Sequence, residues 1–357
     1  MMSSSITPTG FNFGGWISQS TLTDKHAKTF ITQEDFKKVA DWGFNSIRLL
    51  VDCRFLFDKD GLGKLIPTHL AFLKKVLGWS AEAGLMTILD LHETPIHSFM
   101  NTELEGLWRD DKALNLFCSQ WTELTHALKN TECPLQFDIL NEPTACQPAD
   151  WGKAAKAIIR AVHAEHPDRE VVVESTRWGS VKTLEALVQE VQAPNLIYSF
   201  HFYEPMWVTH QRAYWWKEGQ PYLETVDYPG YLPNVKAHMA KELPANTRAR
   251  LEFEGSIHWD KDALRNMMAP VERLVKQGIP LYCGEFGVFE QAPRSARLNW
   301  TRDVVDLLTE MNVGWSYWIY KWLDFGVWPE QPKGQTAALD EEMLSILQRG
   351  ILAKTTD

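Results

Sequence analysis

Nowhere does this 357-residue chain approach the 18 or more consecutive apolar residues of a membrane-spanning helix. Its opening, MMSSSITPTG, has neither the basic region nor the apolar run of a signal peptide, so a protein neither membrane-bound nor visibly exported is expected. Basic tracts are missing as well. With 36 Lys and Arg against 46 Asp and Glu, the net charge is −10, which argues against a nucleic-acid backbone as partner. Cysteine is scarce. Cys53, Cys118, Cys133, Cys146 and Cys283 are an odd number, widely spaced, with no CxxC pair to clasp zinc or exchange electrons. Reduced structural thiols are expected, a Cys133 to Cys146 bridge being the leading exception. No GxGxxG follows the first strand, Gly61–Lys64 (GLGK) lacks the spacing of a phosphate loop, and no GxSxG elbow presents a serine nucleophile. The run from His92 to His97 puts its two histidines at i and i+5 around Pro95, where a zinc-peptidase helix needs i and i+4. No metal or cofactor is expected. No Pro- or Ser-rich linker or low-complexity tract divides residues 1–357, so they read as a single domain.

What the chain has in quantity is tryptophan, 16 residues, half of them expected as core filler and the rest as rings available to stack on a ligand. It also repeats a pattern eight times: a short apolar run, a polar turn, then a stretch with apolar residues at helical spacing. The strand candidates are 10–16, 46–52, 86–92, 135–142, 170–178, 196–203, 280–288 and 313–322. Helices are predicted at 33–42, 69–83, 111–129, 149–166, 181–191, 267–277, 295–311 and 340–349. Near-continuous apolar strands alternating with amphipathic helices mean a parallel sheet covered by helices, and eight units predict an α/β fold, a closed (β/α)₈ TIM barrel. The outsized connection, about 205–265, carries Trp207, Tyr214, Trp215, Trp216, Tyr222, Tyr228, Tyr231 and Trp259. It reads as an ordered insertion after strand six.

In such a barrel the chemistry gathers at the carboxyl ends of the strands. Polar residues stand there in otherwise apolar runs: Arg48, His92, Asn141 and Glu142, His201 and Tyr203, Glu285, and Trp318 on the last strand. Burying such groups without partners costs roughly 1 to 3 kcal/mol each, so the joint pattern points to a site. Glu142 and Glu285 lie on strands four and seven, which face each other across a closed eight-stranded barrel. That layout suits glycosidic cleavage, in which one carboxyl protonates the leaving oxygen while the other attacks the anomeric carbon or activates a water. Glu142 then needs a raised pKa and Glu285 a low one, giving a bell-shaped pH profile on the acid side of neutral.

With Arg48, His92, Asn141-Glu142-Pro143, His201-x-Tyr203, Gly284-Glu285-Phe286-Gly287 and Trp318 in this order, the chain resembles glycoside hydrolase family 5, clan A retaining β-glycanases on a (β/α)₈ barrel. The resemblance spans nearly the whole barrel. It implies Glu142 as acid/base and Glu285 as nucleophile, Asn141 bonding the sugar 2-hydroxyl, and Arg48 and Tyr203 holding Glu285. His92 and His201 would line the site and Trp318 would floor it. Trp108, Trp178 and Trp207 are further candidates for sugar stacking. The expected activity is endo-β-1,4-glucanase, on a β-linked polysaccharide or oligosaccharide, by a monomer. β-Mannan, β-1,3-glucan and xyloglucan remain open, as does transfer to a sugar in place of water. The start at Gly10–Trp16 is shared by cellulase-like and exo-β-1,3-glucanase-like members. An insertion flanking an open groove is the reading preferred. By resemblance the protein is secreted or periplasmic, although a cytoplasmic place fits the visible start. A carbohydrate-binding barrel without chemistry is the alternative of a different class; its signature, replacement of one of the two glutamates, is not seen.

Overall fold

The computed structural model describes residues 7–145, 147–329 and 338–352. Within them eight parallel strands close into a barrel in chain order. They are β1 (Thr9–Ile17), β2 (Ser46–Asp52), β3 (Met86–Glu93), β4 (Leu135–Asp138), β5 (Val171–Glu174), β6 (Leu196–Phe202), β7 (Leu281–Phe286) and β8 (Gly314–Tyr317). Closure pairs Thr9, Gly10 and Phe11 with Trp315, Ser316 and Tyr317. The single-domain (β/α)₈ architecture is the one the alternation predicts, because each strand is buried on both faces and each helix shows one apolar stripe to the sheet.

The helices start where their end groups find acceptors. Helix Gln33–Asp41 opens on a capping box, in which the Asp35 carboxylate accepts from the Thr32 N–H at 2.8 Å. Pro67 and Pro148 begin helices Pro67–Glu82 and Pro148–Glu165, where a missing N–H costs nothing. Three strands are shorter than their apolar runs suggest. β5 stops at Glu174 because Arg177 and Trp178 adopt left-handed φ of 56° and 59°, ending the pleat, while β4 and β8 stop at Asp138 and Tyr317. Beyond β4 and β8 the chain stays apolar, at Ile139 and Leu140 and at Trp318 to Tyr320, because these residues are buried outside the sheet. The helix expected at 267–277 is found at Ala269–Lys276, preceded by a separate short helix, Lys261–Met267.

Side chains inside the barrel stack in layers set by the two-residue period of the strands. A lower layer holds Ile88, Val172 and Tyr282. Two residues further along, the same faces of β3 and β5 carry Asp90 and Glu174, joined by Arg48 of β2 and Asp138 of β4, all fully buried. β7 breaks the period. His201 pairs with Glu285 although Phe200 pairs with Cys283, so Gly284 is an extra residue on β7. That bulge turns Glu285 inward on the face that Tyr282 occupies. A Cβ at Gly284 would lie 2.9 Å from Nε2 of His201, and the Gly284 carbonyl accepts from Nδ2 of Asn12 at 2.9 Å. Glycine is required there for close approach.

The insertion after β6 is ordered around its own aromatic core. Trp207, Tyr222, Tyr228 and Trp259 are buried, with Trp207 4.6 Å from Trp216 and 4.8 Å from Tyr222 between ring centres. The Tyr228 hydroxyl donates to Asp303 at 2.6 Å, and Nε1 of Trp300 donates to the Glu204 carbonyl at 3.0 Å, docking the insertion on helix Arg294–Glu310. Trp215 packs against Phe289 at 4.8 Å and joins the cluster that contains Trp318. The insertion thus flanks the barrel mouth on the β6 to β8 side. Cys53, Cys118, Cys133 and Cys283 are free thiols. The proposed partner of Cys133, Cys146, lies outside the described residues.

Candidate active site

Arg48 is the centre from which the site is built. Its guanidinium, fully buried, donates through Nε to Asp138 (2.9 Å), through Nη1 to Asn12 (3.0 Å) and Glu285 (2.9 Å), and through Nη2 to Asn141 (2.9 Å) and Glu174 (2.8 Å). Asp90 lies 3.0 Å from Nη2 as well. A buried guanidinium is tolerable only with such a complete set of acceptors. Burial would lower the Arg48 pKa, but the four surrounding acids raise it well above its ordinary value.

Glu285 receives a second donor on its other oxygen, the Tyr203 hydroxyl at 3.0 Å, and Nδ1 of His201 stands 3.5 Å from that oxygen. Opposite, Glu142 follows β4 with a side chain 13% exposed, and its Oε1 accepts from Nδ1 of His201 at 2.9 Å. One carboxylate oxygen of Glu142 and one of Glu285 come within 4.8 Å of each other. Burial raises the Glu142 pKa, and the His201 ring offsets part of that rise. Glu174 at the end of β5 accepts from Nε2 of His201 at 3.1 Å and from the Glu142 main-chain N–H at 2.8 Å. Burial alone would raise the Glu174 pKa, but His201 and Arg48 outweigh it and hold it at about 2. Burial likewise acts to lower His201, yet Glu174 and Glu285 lift it well above the ordinary imidazole value. Asp138 is pushed well up by burial and by Glu174.

Glu142, His201 and Glu285 have the residue types and spacing to hold a metal ion. Both ring nitrogens of His201, however, point at carboxylate oxygens, and a doubly protonated ring has no lone pair for a metal. The donor set fits two carboxylates held apart by an imidazolium better than a metal centre.

Around this core, His92 donates through Nδ1 to Asp90 at 2.7 Å and stacks on Trp318 with ring centres 5.9 Å apart and planes at 15°. Nε2 of His92 is buried with no partner among the described residues. The sequence-derived set Arg48, His92, Asn141, Glu142, His201, Tyr203, Glu285 and Trp318 therefore converges on one place. The weaker aromatic candidates divide. Trp178 is 46% exposed, its ring edge pinned by a 2.8 Å bond from Nε1 to the Phe99 carbonyl. Trp108 is nearly buried and packs on His97 at 5.2 Å. Trp207 requires a correction: at 1% exposure, its faces covered by Trp216 and Tyr222, it is a core residue of the insertion and offers nothing to a sugar.

Asn12, Asp90, Asp138 and Glu174, to which the sequence pattern gives no role, carry one signal there, a polar residue inside an apolar strand (GFNF, ILDLH, QFDIL, VVVE), whereas His97 stands in the loop after β3 and figures in the sequence only as part of a run unsuited to zinc.

Residues 6–322 match the family described as cellulase (glycosyl hydrolase family 5). The chain is 29% identical to Endoglucanase C of Acetivibrio thermocellus, over 95% of this chain and 97% of that protein. It is 27% identical to Cellodextrinase A of Ruminococcus flavefaciens, over 82% and 79%. Among solved structures, one described as a glycoside hydrolase superposes with a TM-score of 0.77 over 97% of this chain and 99% of that one, at 23% identity, a likeness of fold.

Proposed function

The chain belongs to the cellulase family, glycosyl hydrolase family 5, and is a glycoside hydrolase; from that premise we propose that it cleaves internal β-1,4-glucosidic bonds of β-glucan by double displacement. The observation that carries the reading is the pair of carboxyls from β4 and β7, with oxygens within 4.8 Å of each other. Retaining enzymes hold their two carboxyls about 5 to 5.5 Å apart, whereas inverting ones leave room for a water at roughly 6.5 to 9.5 Å. Endoglucanase C, similar over nearly its whole length, supports the linkage.

In this reading Glu285 attacks the anomeric carbon while Glu142 gives its proton to the leaving oxygen. The glycosyl–Glu285 ester is then opened by a water that Glu142 deprotonates. Arg48 and Tyr203 occupy both oxygens of Glu285 and hold it aimed. Asn141, its Oδ1 taken by Arg48, keeps Nδ2 for the sugar 2-hydroxyl, a bond that tightens as charge grows at the ring. Trp318, backed by His92, is the floor beneath that ring.

Hydrolysis of carboxymethyl cellulose, barley β-glucan, glucomannan, laminarin, xyloglucan and xylan tests the proposal, reading reducing ends, chain lengths and viscosity. A rapid viscosity loss on the first two supports it. Preference for laminarin or glucomannan overturns the linkage, and products longer than the substrate mean transfer.

The pH dependence follows from Glu142. Its neutral form is favoured by burial, so the acid proton persists above the ordinary glutamate range and kcat/KM falls only as pH rises through that elevated value. A basic limb at the ordinary carboxylate pKa would remove Glu142 from the acid role. For Trp178→Ala, we expect KM on long cello-oligosaccharides to rise roughly 3- to 10-fold through loss of one stacking face, with kcat nearly unchanged. Equal KM values would place Trp178 outside the substrate path.

A further inference from the structure

Three N–H donors converge on one buried carboxylate that the double displacement itself does not consume. Glu174 has no exposure. Its Oε1 accepts from Nη2 of Arg48 at 2.8 Å and from Nε2 of His201 at 3.1 Å, while its Oε2 accepts from the Glu142 N–H at 2.8 Å. Arg48 holds Glu285 and His201 holds Glu142, so this one side chain joins the two halves of the carboxyl pair. Only a group that accepts on both oxygens satisfies these donors. Glutamine, of the same shape, must turn its NH₂ either toward Arg48 and His201 or toward the Glu142 N–H.

We propose that Glu174 is a positioning residue that keeps His201 donating from both ring nitrogens, commits Oε1 of Glu142 as an acceptor, and so leaves the acidic proton on Oε2 for the leaving group. The proposal rests on the acid/base reading of Glu142. Without the negative charge, the ring has less reason to keep its second proton. A neutral ring protonated at Nε2 presents a lone pair at Nδ1, and the Glu142 proton is then shared with the ring instead of the glycosidic oxygen. The ring faces Glu142 after β4, Glu174 of β5 and Glu285 of β7 directly; behind them stand Arg48 of β2 with its partners Asp90 of β3 and Asp138 of β4, Tyr203 after β6 on Glu285, and Cys283 of β7 beside the Glu285 carbonyl. Among them Glu174 and Glu285 contribute most to the raised His201 pKa.

The main chain is held by the same residue. Glu142 has φ of 45°, a left-handed conformation that side chains other than glycine enter at a cost. Its N–H is fixed by Glu174 and its carbonyl by Nε2 of His97 at 3.2 Å, so the strained residue is pinned on both sides. Burial lowers the His97 pKa to about 4, which keeps that ring neutral.

The test compares phenyl β-cellobioside, whose leaving group needs a proton, with 2,4-dinitrophenyl β-cellobioside, whose leaving group does not. Because kcat/KM reports only steps through glycosyl-enzyme formation, the later base role does not intrude. Glu174→Gln is expected to lower kcat/KM about 100-fold or more on the phenyl substrate and less than about 5-fold on the dinitrophenyl one, the range general-acid loss produces. Equal losses on both, or almost none on either, overturn the proposal. Glu142→Ala run alongside must show the same split; its failure to do so sinks the acid/base reading itself, whatever Glu174 does. Should Glu174→Gln not fold, ¹⁵N-imidazole NMR of the wild type decides, with His201 assigned by its loss in His201→Asn. Both ring nitrogens carrying protons across about pH 5 to 8 is the expected result, and a neutral ring in that range overturns it.

Discussion

Glu285→Ala is expected to lower hydrolysis of soluble β-glucan on the order of 10⁴- to 10⁶-fold, the scale on which removal of a nucleophile acts in enzymes whose catalytic groups work as a unit. The loss should fall on kcat. The side chain touches Arg48, Tyr203 and His201; the guanidinium has no lone pair to give, burial holds the Tyr203 hydroxyl protonated and so a poor nucleophile, and both ring nitrogens of His201 are engaged by Glu142 and Glu174. The fold should not suffer. Arg48 keeps Asn12, Asp90, Asp138, Asn141 and Glu174, and removing one of the four acids around a single guanidinium relieves repulsion, so the melting temperature is expected to hold or rise. Azide added to the variant should occupy the vacated space and attack an activated β-cellobioside from the same face, giving an α-glycosyl azide. Residual activity above about one per cent of wild type, far more than loss of a nucleophile leaves, would place the nucleophile elsewhere.

Arg48→Met should do the opposite to stability. Taking one partner out of a buried ionic cluster costs about 3 to 5 kcal/mol because the remaining charges stay buried and uncompensated. Here four carboxylates share the guanidinium, so the upper end of that range is expected, against a total stability of roughly 5 to 15 kcal/mol. Urea unfolding followed by tryptophan fluorescence measures it. The pH dependence has a definite sign. In the wild type Glu174 is held at about 2, so its contribution to stability is present above the ordinary carboxylate pKa and lost only as pH falls toward that value. Without Arg48 the buried acids lose a cation that favours their charged forms, so the folded variant binds protons more readily than the folded wild type. The variant therefore loses less stability than the wild type as pH falls, and the gap between the two proteins should narrow between neutral pH and about pH 4. A gap that widens, or a loss under about 1 kcal/mol, would mean that Arg48 is not what holds the acids together.

Much of this was written in the chain. Eight apolar runs alternating with amphipathic stretches admit few arrangements, and a parallel barrel is the one without exposed sheet edges. The carboxyl ends of its strands then single out Glu142 and Glu285, and their place on β4 and β7 brings them face to face. Strand lengths were overstated at β4 and β8, since residues buried outside the sheet are as apolar as those in it, and at β5, where the left-handed turn at Arg177 and Trp178 leaves no mark in residue type. Trp207 shows the same limit from the other side: an aromatic ring in an insertion reads alike whether it faces a groove or fills a small core, and only its neighbours Trp216 and Tyr222 decide.

The sequence by itself determined the barrel, the two carboxyls and the ring of polar residues with them, because hydrophobic period and residue type act locally along each strand. Three-dimensional packing decided what those residues do to one another. Gly284, an extra residue on β7, turns Glu285 inward, and Arg48 gathers acids from four other strands that lie up to 237 positions away in the chain. Glu174, one acid at the end of a run of valines, acquires its place only when β5 sets it between Arg48, His201 and the Glu142 backbone. Charge interactions and hydrogen bonds depend on distances across the barrel, and no periodicity along the chain encodes those distances.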